Sequence, residues 1–354
     1  MGILIGLLAL SVLVFVHELG HFLAARFFGV KVERFSIGFG PVVAKKWCCS
    51  TEWAISAFPL GGYVKMKGQD DLDPLKRSSD PDSYNAKKPW QRIIILLAGP
   101  FANFALAYIL YVAVALMGFQ ELAPKIGKVL PDSPAKIAGL QKGDKILSIN
   151  NKPIETWSEL SETIRKSHGP LHLLIERGGE QITVKLQPKV MESKNIFGET
   201  VLRPMIGIAP APEYVKIHYS FAESLGVAWR KTLQASTLIL KSIEKMIEGV
   251  VPAKDIGGVI TIMDITAKAS EAGLVALLSF TALISVNLGI LNLLPIPALD
   301  GGHIMFNLYE WISGKAPSEE VLYRLTMAGW IFLVGLMGLG LYNDINRLLG
   351  VHSG

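Results

Sequence analysis

The stretch His17-Glu18-Leu19-Gly20-His21 lies inside a long apolar run, residues 3–27. About 20 apolar residues in a helix are enough to cross the hydrocarbon core of a bilayer. Positions i and i+4 share one face of a helix, so both imidazoles would point to the same side of this span. A charged side chain at the bilayer centre costs about 2.5–3.5 kcal/mol. Three such polar groups within one span therefore indicate a functional site inside the membrane.

These residue types fit a catalytic metal. Two neutral imidazoles at this spacing suit Zn²⁺, and Glu18 beside them can act as general base for an attacking water. A third protein ligand is needed, and a fourth position stays open in a catalytic site. The sequence therefore predicts one zinc ion per chain, bound in part by His17 and His21.

The expected third ligand is Asp300, which follows the third apolar run where Pro295 and Pro297 end a helix. The alternative for Asp300 is an N-cap of the next helix, and it could serve as both. His303 is the rival ligand, but it would enter the following turn and is expected either to support the ligands from behind or to be structural. Asn292 could hold a substrate backbone or a developing oxyanion, or could equally form an interhelical hydrogen bond.

Three more apolar runs, residues 93–119, 274–294 and 326–349, are also long enough to span a bilayer. The predicted fold class is a polytopic α-helical membrane protein with about four transmembrane helices. The first run lacks a positively charged start, so we expect a retained helix rather than a cleaved leader. Residues 29–91 are rich in Lys and Arg, which places this loop in the cytoplasm and both termini outside.

Two segments between the spans are not membrane helices. Residues 35–44 and 52–66 are apolar and punctuated by Gly and Pro, which predicts a membrane-associated β-hairpin. It could dip into the bilayer beside the first helix or cap the cytoplasmic face. Residues 124–188 read as a small α/β domain in the extracytoplasmic region, and residues 221–249 as an amphipathic helix along the outer membrane surface. The predicted division is 1–119, 120–190, 191–273 and 274–354.

Composition excludes other classes of protein. The net charge of +5 comes without a basic patch interleaved with aromatic residues, so no nucleic-acid partner is expected. The basic loops fit anionic lipid headgroups instead. The only cysteines are the neighbours Cys48 and Cys49, which rules out a disulfide framework.

Taken together, these motifs resemble the site-2 protease family of intramembrane metalloproteases, most closely its bacterial RseP-type members that regulate sigma-factor signalling. The resemblance covers nearly the whole chain. His17 to His21 is similar to the zinc motif of the family, and Asn292 to Gly302 is similar to its N-x-x-P-x-P-x-L-D-G-G motif. Gly99-Pro100 with Asn103 is similar to the second core helix, where helix packing is the expected role.

The resemblance implies a fold and a set of partners. Asp300 would be the third zinc ligand. Residues 38–41 and 58–63 match a reentrant hairpin that would bind an unwound substrate as an added strand, with Gly61, Gly62 and Tyr63 near the substrate. Residues 124–188 resemble a PDZ domain, with Ile126 and Gly127 in the expected peptide-binding loop for carboxy termini. RseP-type proteins of enterobacteria carry two such domains and this chain has one, which leaves substrate filtering open.

The implied activity is zinc-dependent cleavage of single-span membrane proteins, such as anti-sigma factors or remnant signal peptides, in a bacterial inner membrane. Two other classes compete with it. A scaffold with a structural metal would normally close its site with four protein ligands, and only three good candidates are present. A transporter with an intramembrane ion site predicts inverted repeats, and the sequence shows none.

Overall fold

The computed structural model describes residues 2–69, 78–167 and 169–350 of the chain. It divides into two compact units. Unit 1 combines Met1–Val114 with Phe221–Gly354, and unit 2 is Ala115–Ser220. Lys76 and Arg77, which contribute to the basic loop, lie outside the described residues.

Four helices are long and apolar enough to cross a membrane among the described residues. They are α1 (Gly2–Phe27), α2 (Pro89–Met117), α7 (Leu274–Asn292) and α9 (Glu319–Leu348). The prediction that the four apolar runs form helices is confirmed. The helix α9 begins seven residues before the apolar run, because the Ser318 hydroxyl accepts a hydrogen bond from the Val321 N–H and caps the helix there.

The helices α1 and α2 approach closely through small residues. A Cβ at Gly20 of α1 would lie 2.8 Å from the Ala98 carbonyl carbon and 2.9 Å from the Ala102 Cβ. Only glycine allows this separation, as expected where helices pack in lipid. The helix α6 (Val259–Glu271) packs on the other end of α1 in the same way, with Gly6 against Met263. The helix α1 is thus held along most of its length.

The predicted hairpin is a more elaborate sheet than two simple strands. The strands β1 (Val32–Cys48) and β2 (Thr51–Met66) pair antiparallel, but each bends near its glycines. The first part of β1 is therefore paired on both edges. Phe35, for example, lies opposite Val64 on one side and Trp53 on the other. The outer edge of residues 62–66 has no strand partner among the described residues.

Unit 2 begins with β3 (Phe119–Leu122), β4 (Ile126–Val129) and the short helix α3 (Pro134–Ile137). The strands β5 (Lys145–Ile149), β6 (Lys152–Pro153), β7 (Leu171–Arg177) and β8 (Glu180–Leu186) form one sheet in the order β6-β5-β7-β8, with α4 (Trp157–Lys166) between β6 and β7. Its apolar core is centred on Ile146, Leu160 and Leu173, each fully buried.

The second half of unit 2 differs from the predicted linker. Residues 191–220 contribute to β9 (Lys189–Lys194), β10 (Thr200–Met205), β11 (Ile208–Pro210) and β12 (Tyr214–Ile217). Of these, β11 pairs with β4, and β12 pairs with β3. The unit therefore closes on its own first strands and, as a compact unit, extends to Ser220.

An ion pair fixes the turn before β5. The buried Asp144 carboxylate accepts two hydrogen bonds from Arg177 at 2.7 Å and one from the Gln141 N–H at 2.8 Å. Burial alone would raise the pKa of Asp144, but these three bonds outweigh it and hold the pKa below its ordinary value of 3.8.

The remaining helices of unit 1 are α5 (Phe221–Ile247) and α8 (Asp300–Ser313). The predicted amphipathic helix is confirmed as a helix, α5. One face of α5, including Ala228 and Ala235, is buried in a core shared with α2 and α7. Trp229 and Leu240 on the other face are exposed and apolar.

Candidate metal centre

Three predicted ligand side chains converge in unit 1. The Asp300 Oδ2 lies 3.2 Å from the His17 Nε2 and 3.4 Å from the His21 Nε2, and the two Nε2 atoms are 3.2 Å apart. Both histidines are buried. Among the described residues, these three side chains form the one cluster able to hold a metal ion.

The donor set fits zinc. Zinc ligands lie about 2.0–2.1 Å from the ion in a tetrahedron, which puts neighbouring ligand atoms about 3.3–3.4 Å apart. The three distances observed here fall close to that value. The set contributes two nitrogens and one anionic oxygen, and no fourth ligand of these kinds joins it in the part of the chain that the structure describes, which fits a catalytic better than a structural zinc site.

The helix α2 sets the orientation of His21. The His21 Nδ1 lies 2.8 Å from the Ile95 carbonyl oxygen, which accepts its proton and leaves Nε2 to face the site. Gly99, one turn further along α2, has no side chain to obstruct the ring. A Cβ at Gly99 would lie 2.5 Å from the His21 Cε1 and 2.8 Å from its Cδ2. The imidazole therefore occupies the space that the glycine leaves free.

The segment before α8 delivers Asp300. Asp300 is the first residue of α8, and Leu299 occupies the N-cap position. The two glycines that follow pack against the chain just before them. A Cβ at Gly302 would lie 2.6 Å from the Ile296 carbonyl carbon, and one at Gly301 would lie 2.5 Å from the Leu293 carbonyl carbon. The Gly-Gly pair thus lets the chain fold tightly beneath the aspartate.

Glu18 sits beside the ligands, and the sheet of β1 and β2 reaches it. Glu18 is half-buried on α1, directly after His17. A Cβ at Gly62 of β2 would lie 3.3 Å from the Glu18 Cγ and 2.8 Å from the Ser36 carbonyl oxygen. The free edge of residues 62–66 therefore starts next to the expected general base.

The other predicted residues of unit 1 lie around this centre with different contacts. Tyr63 follows Gly62, and its hydroxyl accepts a hydrogen bond from Arg34 at 3.2 Å. Gly61 adopts a φ of +142° at the bend of β2. Asn292 is the last residue of α7 and is half-buried. His303 is outside the ligand cluster and lines a cavity of about 470 Å³ with Arg92 and Glu310.

The predicted peptide-loop residues of unit 2, Ile126 and Gly127, lie on strand β4. Ile126 is fully buried, its N–H bonds to the Asp144 carbonyl, and its carbonyl accepts from the Gly143 N–H. Gly127 abuts the backbone of Pro210 on the neighbouring strand β11. Because both edges of β4 are occupied, no peptide strand can add at these residues.

A groove that the sequence analysis missed lies on another side of unit 2. It has a volume of about 250 Å³ and runs between α4 and residues 203–210. Its walls include Trp157, Ile164 and Met205, with Arg165 and Arg203 also lining it. Gly207, with a φ of +80°, turns the chain between β10 and β11. The pattern Ile206-Gly207-Ile208 was a local signal of this turn, but its pairing with α4 is a long-range feature.

Comparisons with known proteins agree with the geometry. The model of Peptidase family M50 matches residues 5–336. A Campylobacter jejuni protein named "Putative zinc metalloprotease" is 47% identical over 97% of this chain and 93% of its own length. A Helicobacter pylori protein of the same name is 40% identical over 98% and 99%.

One solved structure, the HtrA3 PDZ domain bound to a phage-derived ligand, covers 28% of this chain and 92% of that chain. It is 21% identical with a TM-score of 0.16, which is too low to support an argument about unit 2. The match of the family model over nearly the whole chain, together with these relatives, decides the assignment. The chain belongs to peptidase family M50, the site-2 protease family of zinc metalloproteases.

Proposed function

We propose that this protein is an intramembrane endopeptidase that cuts transmembrane segments of other membrane proteins. The observation that carries the proposal is the placement of His17, His21 and Asp300 around one point beside the apolar helix α1, with Glu18 next to them. A soluble protease has no need to place its ligands on a helix of this composition. The substrates that fit are single-span proteins whose scissile bond lies at membrane depth.

His17, His21 and Asp300 would hold one zinc ion. When bound, it supplies a Lewis acid for the scissile carbonyl and lowers the pKa of water to about 7. Glu18 removes the proton from the attacking water and later returns it to the leaving amine. His21 is kept in its ligating orientation by the Ile95 carbonyl. Asn292, at the end of α7, is our candidate for holding the substrate backbone or the oxyanion.

The substrate must unwind before it is cut, because a helix hides its carbonyls in its own hydrogen bonds. Unwinding in lipid is costly unless the freed groups find partners. The outer edge of residues 62–66 offers them, since an extended segment can add there as a strand. A substrate on this edge would run past Gly62 and therefore past Glu18. Gly61, just before this edge, packs against the Phe39 ring, and Tyr63 would contact the segment.

Unit 2 would select substrates outside the membrane. We place its peptide site in the groove between α4 and residues 203–210. Arg203 is half-buried in that groove and forms no ion pair among the described residues, so it suits a peptide carboxylate. Substrates that have lost bulky ectodomains would expose such a terminus. The protein would then sit in a bacterial inner membrane, with both termini and unit 2 outside and the basic loop inside.

The alternative is a silent scaffold with a structural metal, and one experiment separates the two. Wild type, Glu18→Gln and the exposed control Glu248→Gln are purified in detergent and compared for zinc content and for cleavage of a single-span peptide. We expect about one zinc in each protein and a loss of cleavage in Glu18→Gln alone, by about 10²–10⁴-fold. Cleavage by Glu18→Gln at the wild-type rate, or a wild type without metal, would refute the proposed mechanism.

A further inference from the structure

The side chain of Asn103 on α2 is buried against the metal centre, and one of its two polar atoms has no hydrogen-bond partner among the described residues. The Asn103 Nδ2 lies 3.2 Å from the His17 Nδ1. The Asn103 Oδ1 is buried and has no hydrogen-bond partner among the described residues. An amide has nearly the same shape in its two orientations, so the surrounding hydrogen bonds decide which atom faces the ring. An orphaned buried oxygen is costly enough to require an explanation.

Metal ligation decides between the two orientations. A neutral histidine that offers Nε2 to a cation carries its proton on Nδ1, which is then a donor. The Nε2 atoms of both histidines face Asp300, so both Nδ1 atoms must donate. His21 does so to the Ile95 carbonyl. His17 cannot donate to an amide nitrogen, which is itself a donor.

We infer that Asn103 is a positioning residue that presents its Oδ1 to the His17 Nδ1–H and so fixes the tautomer and ring orientation of this ligand. The inference rests on the proposed zinc site. In this orientation the amide oxygen accepts the histidine proton, and the Nδ2 takes the buried position that has no partner among the described residues. The two histidines are then held alike, each by an acceptor from α2.

The position of Asn103 along α2 is itself fixed from a third helix. The buried Ser285 of α7 donates its hydroxyl proton to the Asn103 backbone carbonyl at 2.8 Å. The amide is therefore held between α7 and α1. The chain of contacts links α7, Asn103, His17 and the metal position, and α7 leads directly into the segment that carries Asp300.

The Gly99 carbonyl also lies near the His17 ring and is the alternative acceptor. In helix geometry that carbonyl also accepts the Asn103 N–H, and its two lone pairs allow it to accept both protons. If Gly99 alone were sufficient, Asn103 would serve only to fill space. A role as hydrogen-bond acceptor and a role in packing predict opposite effects for substitutions of Asn103 that change the chemistry of the side chain and keep its size.

The test measures zinc affinity of the full-length protein in detergent by competition with a chelator, for wild type, Asn103→Asp and Asn103→Leu. Aspartate keeps an acceptor oxygen and leucine keeps only the volume. We expect Asn103→Asp to bind zinc at least as tightly as wild type and Asn103→Leu about 10–100-fold more weakly. Asn103→Thr, which keeps an acceptor oxygen, and Asn103→Val, which does not, repeat this comparison without burying a charge. The Co²⁺ absorption spectrum reports the ligand geometry, and only the variants without an acceptor should change it.

A pure packing role predicts the reverse, because leucine fits a buried apolar site and a carboxylate does not. The inference requires that Asn103→Asp binds zinc at least tenfold more tightly than Asn103→Leu, and Asn103→Thr at least tenfold more tightly than Asn103→Val. Any other order in either pair overturns it. Wild type that binds no zinc would instead overturn the proposed function, so the two failures are distinguishable.

Discussion

Replacing Gly99 by alanine should remove zinc from the protein without unfolding it. The added methyl group would lie 2.5 Å from the His21 Cε1, whereas ordinary contacts begin at 3.4 Å. Because the His21 Nε2 lies closer still, the ring or the helix must move by at least about 0.9 Å, the difference between these values. Zinc sites tolerate deviations of about 0.2 Å in ligand distance. The required shift exceeds this tolerance several-fold.

We expect a loss of at least about 10²-fold in catalytic rate, the usual effect of a 1 Å misplacement at a reacting centre. Zinc content after dialysis against a zinc buffer should fall in parallel. The matched control is Gly338→Ala in α9, where an added Cβ meets nothing within 4 Å. Thermal unfolding of both variants separates a local from a global effect.

Zinc content and cleavage in Gly99→Ala equal to those of Gly338→Ala would refute the argument. That result would mean that α1 and α2 can separate at no cost to the site. A variant that loses zinc but melts like the control would confirm that the glycine acts on His21 rather than on folding.

Three further predictions concern single side chains. Asp144→Asn should destabilise unit 2 by about 1.5–3 kcal/mol. Because the pKa of Asp144 is lowered in the folded protein, the stability that this carboxylate adds is present above its ordinary pKa of 3.8 and is lost as the pH falls through the lowered value. Hydrogen exchange of unit 2, measured as a function of pH, would show this loss. His303→Ala should keep zinc while Asp300→Asn loses it, and equal zinc content in the two would contradict the ligand set. Ser161→Trp, which fills the groove of unit 2, should weaken binding of fluorescent pentapeptides with a free carboxyl terminus, whereas Ser158→Trp on the same helix should not.

The sequence predicted the elements whose signals are local. Long apolar runs specify membrane-type helices whatever they pack against, and the ends of the four helices lie within seven residues of the ends of those runs. The i, i+4 spacing of His17 and His21 is equally local, because helix geometry alone brings the two rings to one side. Asp300 was found by elimination among the few polar residues expected at membrane depth, and the structure places it beside both histidines.

The features that were missed depend on partners far along the chain. The double pairing of β1 requires β1 and β2 each to bend back once, and no period in the sequence encodes that. In the same way, β11 and β12 pair with strands more than 75 residues earlier. Ile126 and Gly127 were expected in the peptide loop from the resemblance to a PDZ domain, and a resemblance says nothing about which edges of strand β4 are free. The pairing of β11 with β4 occupies that edge, and the groove at α4 is where we propose the peptide site.

The metal centre is best understood as a consequence of helix packing. His17 and His21 stand on α1, but what fixes them belongs to α2, since Ile95 and Gly99 set one ring and Asn103 contacts the other. None of these three residues has the chemistry of a ligand. The affinity for zinc at this site should therefore depend on the distance between α1 and α2. A substitution that increases this distance should lower the zinc affinity at a smaller displacement than the one that lowers the stability of the fold. Because lipid gives little hydrophobic drive for helices to associate, the metal would in turn add to the interaction that holds the two together.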